Sequence, residues 1–397
     1  MSVAPKTASV ARRPSLRHQA FGGWGPRLVL QLAILIGVTA ILAVLGSNIA
    51  TTMARSGVTP GFGFLESAAN FEIGEGMIAF RAGDSYARAI AVGLLNTAKI
   101  ASVGCCLATF LGVALGVMRL SGNLVLSGLV RWYVEIVRNT PLLLQLFFWI
   151  GLAHALPPPR RAIILLDTFF LTNRGVYMPR IVVQDFSLAA TLVLAVVVGI
   201  WLWLVWRGWR NKPTGLQAPL PTSLVSILVL GAMFTASGTR IGLEMPAVSG
   251  FNIRGGFNLT PEFAALLVGL TVKFSAVIAE IVRAGILSVR HEQWDAARAL
   301  GLHRGKIMRL VVLPQALRVI TPLATSSYLD LIKDSSLAVA IGYPDLMNIV
   351  NTIANTTGQA FEALLIVVLV YLIVNLAVSG LMSVYNSKVA LRGEKSA

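Results

Sequence analysis

Charge is scarce in this sequence. Of 397 residues only 13% are Asp, Glu, Lys or Arg, while 56% are apolar; soluble domains carry about 25% charged residues. A soluble chain this long could not cover its surface with so few charges, which excludes an ordinary cytoplasmic enzyme and equally a disordered polymer. Acidic residues are scarcest, 17 against 33 basic ones, leaving a net charge of +16. Cysteine is limited to the adjacent pair Cys105 and Cys106. Neighbouring cysteines rarely bridge, and two are too few for a disulfide scaffold, so they read as small helix-packing residues. The four histidines (His18, His154, His291, His303) are scattered and make no metal site. Gly301-Leu302-His303-Arg304-Gly305-Lys306-Ile307 is a failed phosphate loop: it has three residues between its glycines instead of four, and Ile where Ser or Thr is needed. No ATP site is expected in the chain itself, and no cofactor of its own.

What the chain has in quantity is long apolar runs. A bilayer core about 30 Å thick needs about 20 mostly apolar helical residues. Eight segments qualify: 28–50, 89–118, 132–156, 186–206, 223–241, 262–284, 316–340 and 362–386. The runs are continuous rather than alternating, so they are helices and not barrel strands. The expected fold class is all-α and polytopic. Lys and Arg near the span ends set the orientation. With both termini in the cytoplasm, the cytoplasmic pieces hold nineteen basic residues and the outer loops eight. The excess is spread over every inner loop rather than gathered on one surface, so nucleic acid is not the expected partner. The exception is 157–185, with Arg160, Arg161, Arg174 and Arg180 on the outer side; this stretch could also fold back at the interface. The first run follows a basic leader and ends without a small-x-small cleavage site, as an uncleaved anchor helix does.

The expected organisation is a cytoplasmic tail (1–27), a first span and outer loop (28–85), a first core part (86–156), an insert with two further spans (157–261), a second core part (262–386) and a short tail (387–397). No short-period repeat occurs. Gly112 to Gly116 is a small-xxx-small packing signal. The cytoplasmic loop 284–315 is too long for a turn. Trp294, Ala297 and Leu300 recur at helical spacing, and Gly301 ends the helix. Pro314 then opens the seventh span. A short helix beneath a bundle suits docking; an ordinary amphipathic interfacial helix is the other reading.

Gln293-Trp294-Asp295-Ala296-Ala297, then Gly301, Ile307 and Leu313-Pro314-Gln315-Ala316, resembles the EAA loop of ABC-importer permeases. Tyr133–Leu143, Ile278–Gly285 and Leu331–Leu337 resemble the polar amino-acid (HisMQ-type) branch of that family, and the long insert resembles the Q-type subunits of the general L-amino-acid (Aap/Bzt-type) permeases. The match covers about 86–156 and 262–386. The resemblance implies a five-helix MetI-like permease core in the bacterial inner membrane, a cytoplasmic ATPase dimer that binds the ATP and Mg, a sister permease, and a periplasmic binding protein that delivers amino acids. It implies that Gln293, Trp294, Asp295, Ala296, Ala297, Gly301 and Pro314 form the ATPase-coupling segment. Asp295 stands where the family usually has Glu, one methylene shorter, and His291-Glu292 replaces the residues that often precede the Gln.

Charges within the spans are the other candidates. Glu135 and Arg138, three apart, share a helix side and can pair. Glu280 and Arg283 form a second expected structural pair. Lys273 lies deeper and could meet a substrate carboxylate. Asp330 and Asp334 bracket Lys333, with Ser335 beside them. A zwitterionic amino acid needs an anionic partner for its ammonium and a cationic one for its carboxylate, and this cluster offers both. A self-satisfied ion triad packing helices is the alternative. An ATPase-independent secondary transporter or channel, and a non-transporting membrane scaffold, remain open readings from the residues alone.

Overall fold

The computed structural model describes residues 25–55, 57, 61–184, 199 and 240–394. The first apolar run is α1 (Gly25–Arg55), none of whose described side chains is buried. The 61–85 segment folds over the bundle and leads into α2 (Tyr86–Arg119), capped by the Ser85 side chain. Two shorter helices follow, α3 (Leu124–Asn139) and α4 (Leu142–His154). The second half opens with α5 (Pro261–Leu287), whose start combines three helix-initiating features: Thr260 as the cap, Pro261 in the first turn and Glu262 at the positive helix end. Then come α6 (His291–Ala299) and a long rod. The rod begins as α7 (Arg304–Ile307), widens into a π turn (Met308–Val312), runs on as α8 (Leu313–Asp334) and tightens to a 3-10 segment (Ser335–Ile341). The π turn sits directly before Pro314, which lacks an N–H and crowds the carbonyl four residues back; widening the turn absorbs that defect. The chain closes with α9 (Leu346–Thr357) and α10 (Ala360–Glu394).

Among the described residues five helices are long and apolar enough to cross a membrane, and the α3–α4 pair would make a sixth. The expected spans 186–206 and 223–241 fall almost wholly outside the described residues. The third expected span, 132–156, is broken within its length: α3 and α4 meet at a 105° bend. Pro141 is the residue between them that cannot continue a helix.

The core is α2 against α5. Gly112 and Gly116 lie one turn apart on the buried side of α2. A Cβ on Gly112 would sit 2.7 Å from Ile278 Cβ and 2.9 Å from the Ser275 carbonyl; one on Gly116 would meet the Ala279 carbonyl at 2.8 Å. The small-xxx-small signal therefore marks the contact where the two backbones approach. Gly112→Leu is expected to cost about 2–3 kcal/mol, the usual penalty of overpacking, read as a lowered midpoint of thermal unfolding in detergent.

The insert adds what composition did not announce: eight short strands. These are β1 (Ile163–Leu165), β2 (Phe169–Thr172), β3 (Gly175–Met178), β4 (Arg180–Gln184), β5 (Arg240–Glu244), β6 (Ala247–Ser249), β7 (Asn252–Arg254) and β8 (Phe257–Leu259). They form an antiparallel sheet in the order β1-β2-β3-β8 and two ribbons, β4-β5 and β6-β7. Among the described residues the named strands all lie in the connection between α4 and α5.

Candidate coupling arm and substrate path

The α6 arm is built as a projecting hook. Ala297 is buried and Trp294 half-buried in one cluster with Ile307, Met308, Val311, Val312 and Ala316, so the inner side of α6 is glued to the base of the rod. Gln315 Nε2 donates to Gln293 Oε1 at 3.4 Å and to the Val311 carbonyl at 3.0 Å. Gly301, at φ 73°, reverses the chain in a conformation that glycine adopts without Cβ strain. The outer side of α6 carries Gln293, Asp295, Ala296, Arg298 and Ala299, all exposed, with Leu300 just beyond the helix 79% exposed. Leu300, Ala296 and Ala299 thus leave an apolar strip uncovered on an otherwise polar arm. Trp294 and Ala297 are the expected coupling residues of α6 that pack inward, because the spacing 294/297 faces the rod.

At the end of α5 nearest this arm, Glu280 accepts from Arg119, in the last turn of α2, and from Arg283 Nη2 at 2.5 Å. The expected Glu280–Arg283 pair is present, and Arg119 joins it. The expected Glu135–Arg138 pair is not. Both side chains are exposed and, among the described residues, make no ion pair with each other. Helix α3 buries Val130 and Val134 and half-buries Tyr133 and Val137. Positions 135 and 138 lie one step off that stripe, on its flank.

Lys273 is also corrected. Its ammonium donates to the backbone carbonyls of Arg138 (2.9 Å), Thr140 (3.1 Å) and Val137 (3.4 Å). Gln145 Nε2 donates to Val137 and Thr140 at 3.0 and 3.1 Å. The last carbonyls of a helix have no partner within it, and a cation there is favoured by the helix dipole. Lys273 thus caps α3 at the Pro141 bend.

Asp330 and Lys333 pair at 3.7 Å, with side chains 63% and 58% exposed. Asp334 is half-buried, within electrostatic reach of Lys333, Asp330 and Lys273. Ser335 is buried, its hydroxyl donating to the Ile332 carbonyl at 2.8 Å. The expected triad is therefore a pair plus a third carboxylate turned toward α5. Charges inside a span do not face lipid; they face protein or a water-filled path. This side of the rod must be covered by one or the other.

A polar knot that sequence reading missed lies at the start of α5. Glu75, from the 61–85 segment, accepts from Lys99 Nζ at 2.7 Å and from Thr260 Oγ1 at 2.6 Å. Asn96 Nδ2 donates to the carbonyls of Glu75 (2.8 Å) and Pro344 (2.9 Å), and Lys99 lies 4.2 Å over the Phe263 ring. A cavity of about 370 Å³ opens beside it, lined by Glu72, Glu75, Thr260, Glu262, Asn348 and Thr352 among others. The signal available was Asn96 and Lys99, polar residues three apart inside an otherwise apolar run.

Next to the knot, Asp345 caps α9, accepting from Asn348 N at 2.8 Å, while its other carboxylate oxygen has no hydrogen-bond partner among the described residues. Burial pushes its carboxyl from the ordinary value near 3.8 up to about 7. A carboxyl whose folded-state pKa is raised stays protonated in the fold after the unfolded chain has ionised. Stability therefore falls as pH rises from about 4 to about 7 and is flat above. Asp345→Asn retains a capping oxygen and is expected to abolish that part of the fall. Unfolding midpoints at about pH 5 and about pH 8 test this: the wild type should lose more than the variant.

These features define a polytopic helical membrane protein with a short helix held against the base of one rod and a charged stretch along that rod. Residues 108–391 match the model of the family described as binding-protein-dependent transport system inner membrane component. The chain belongs to that family. It is 41% identical over 370 residues to the general L-amino acid transport system permease protein AapQ of Rhizobium johnstonii, covering 91% of each chain. It is 35% identical over 399 residues to the glutamate/glutamine/aspartate/asparagine transport system permease protein BztB of Rhodobacter capsulatus, covering 92% of this chain and 94% of that one. Among solved structures, a crystal structure of an amino acid ABC transporter with histidines superposes with a TM-score of 0.47 at 22% identity, over 76% of this chain and 95% of that one.

Proposed function

We propose that this chain is the translocation subunit of an ATP-driven importer for amino acids, residing in the bacterial inner membrane with both termini in the cytoplasm. A cytoplasmic ATPase dimer holds the ATP and Mg, a sister permease covers the charged side of the α8 rod, and a periplasmic binding protein delivers substrate. The observation that carries the reading is α6: a short helix fixed to the rod by Trp294, Ala297 and Gln293, presenting Asp295, Ala296 and Leu300 outward. Gly301 sets the turn from the arm into the rod, and Pro314 lies in the rod itself, just beyond the π turn. A push on the arm is delivered to α8, which carries Asp330, Lys333 and Asp334. Those groups complement the ammonium and carboxylate of an amino acid. Kinship with AapQ and BztB supports amino acids as the substrate class.

The arm is tested by two neighbouring substitutions in the reconstituted complex. Ala296→Arg, on the exposed side, is expected to leave the unfolding midpoint unchanged and cut ATP-dependent uptake at least about tenfold, a loss of about 1.4 kcal/mol or more in coupling. Ala297→Arg, on the buried side, is expected to destabilise the protein itself. Uptake that persists in Ala296→Arg, or that follows an ion gradient instead of ATP sealed inside the vesicles, overturns the reading in favour of an ATPase-independent carrier.

A further inference from the structure

We propose that the β layer between α4 and α5 lies in the headgroup region of the membrane and is a docking surface for anionic phospholipid. Three observations meet there. The first is connectivity. One residue separates β8 from α5, and eight separate α4 from β1. The open end of the β4-β5 ribbon, Gln184 opposite Arg240, leads into residues 185–239, whose sequence holds the apolar run 186–206 and most of the run 223–241. The layer is thus tied by short connections to α4 on one side and to the span-length helix α5 on the other, which leaves it little chain with which to move away from the end of the bundle.

The second is the side-chain pattern. Ile163, Ile164, Leu165 and Leu166 are all exposed, and so is Phe251. Successive residues of a strand point to opposite sides of the sheet. Edge strand β1 is therefore apolar and uncovered on both sides at once. A protein docked on one face would leave the other wet; immersion among headgroups and upper acyl chains covers both.

The third is charge. The stretches 157–184 and 240–260 hold six arginines against two acids, Asp167 and Glu244. Arg160, Arg161, Arg174, Arg180 and Arg254 are exposed, and among the described residues none of them is in an ion pair. Arg160 instead stacks over the Phe251 ring at 3.2 Å, holding a guanidinium and an apolar ring at one level. Guanidinium is the side chain that matches phosphate in a bidentate fork, and basic residues near an anionic membrane surface are attracted to it. The departure of this segment from the inner-loop bias of Lys and Arg has the same explanation: its counter-charge is lipid phosphate.

The test uses the full chain with Cys105 and Cys106 replaced by serine and one nitroxide-labelled cysteine at a time, Leu165→Cys or Phe251→Cys. Asp295→Cys on the α6 arm is the water-facing reference. Each protein is reconstituted into phosphatidylcholine vesicles with and without phosphatidylglycerol. Collision with oxygen should exceed collision with a water-soluble nickel chelate several-fold at both layer positions, relative to Asp295→Cys. Phosphatidylglycerol should raise that ratio further. The rise should vanish in Arg161→Gln/Arg180→Gln/Arg254→Gln. Free access of the nickel chelate at 165 and 251 would show a water-exposed layer. Protection from both reagents would show a surface covered by protein. A ratio blind to phosphatidylglycerol would show apolar burial without headgroup recognition. Each of these three results overturns the proposal, and two labelled positions guard against one that does not fold.

Discussion

Glu280→Ala is expected to destabilise the fold strongly and lower its unfolding midpoint. One carboxylate answers two guanidiniums, Arg119 from α2 and Arg283 from its own helix, and Arg138 also acts on it. Arg119 is only 13% exposed and Glu280 22%. Removing one member of a buried ion cluster strands the others, at a cost of about 3–5 kcal/mol in a dry interior. Partial exposure at the end of the span lowers this to about 2–3 kcal/mol. The loss falls on the α2–α5 contact one turn from Gly116, which has no slack: a Cβ there would already meet the Ala279 carbonyl. Glu280→Gln keeps the acceptor oxygen and removes the charge, so its effect should be intermediate. Arg119→Met introduced into Glu280→Ala should restore part of the loss, because it removes one stranded charge. Unfolding midpoints of the four proteins in detergent decide the matter, and equal midpoints would refute the clamp.

The contrast between Glu280 and Glu135 shows what spacing alone can convey. Both carboxylates have an arginine three residues on, and both pairs sit within helices. The spacing states that the two side chains share a helix side; it does not state what lies opposite. Glu280 faces the last turn of α2 and finds Arg119, whereas Glu135 sits beside the buried stripe of α3 and has no ion-pair partner among the described residues. The arm was legible for a different reason. Trp294, Ala297, Gly301 and Pro314 encode local events (a helical stripe, a left-handed stop, a missing donor), and local events survive in sequence. Even there, the inward turn of Ala297 depends on the rod packed behind it. Glu75 meeting Lys99 across 24 residues, and Thr260 across 185, are long-range pairings that no periodicity records. The strands of the insert are three to five residues long, too short to establish an alternation. Helix α9 mixes Asn and Thr with its apolar stripe and was hidden among loop-like residues. The break between α3 and α4 was announced by Pro141, but its 105° angle, and the orphan carbonyls it creates, are tertiary facts.

Those carbonyls make Lys273→Met the second large effect. The substitution keeps an unbranched side chain of similar length and deletes the donors that hold Val137, Arg138 and Thr140. A hydrogen bond to a charged group contributes about 1.5–3 kcal/mol, and Lys273 makes two good ones and a long third. Gln145 still serves Val137 and Thr140, leaving Arg138 without a side-chain donor. A net loss of about 2–3 kcal/mol is expected, with the angle between α3 and α4 no longer fixed. Lys273→Arg keeps the positive end at the helix C-terminus and should recover most of it; Lys273→Gln, a neutral donor, should recover less. The measurement that separates capping from substrate binding pairs the unfolding midpoint with uptake kinetics. If Lys273 serves the bend, Lys273→Met lowers the midpoint and the maximal uptake rate, and the substrate concentration for half-maximal uptake stays within about threefold, under about 0.7 kcal/mol. If it grips a substrate carboxylate, the midpoint stays and the half-maximal concentration rises about tenfold or more. The same comparison bears on Asp334, the half-buried carboxylate closest to this cation's field. With Lys273 committed to backbone oxygens, Lys333 is the cation left beside Asp330 and Asp334 on the exposed side of the rod. Lys333→Met should therefore produce the affinity defect that Lys273→Met does not.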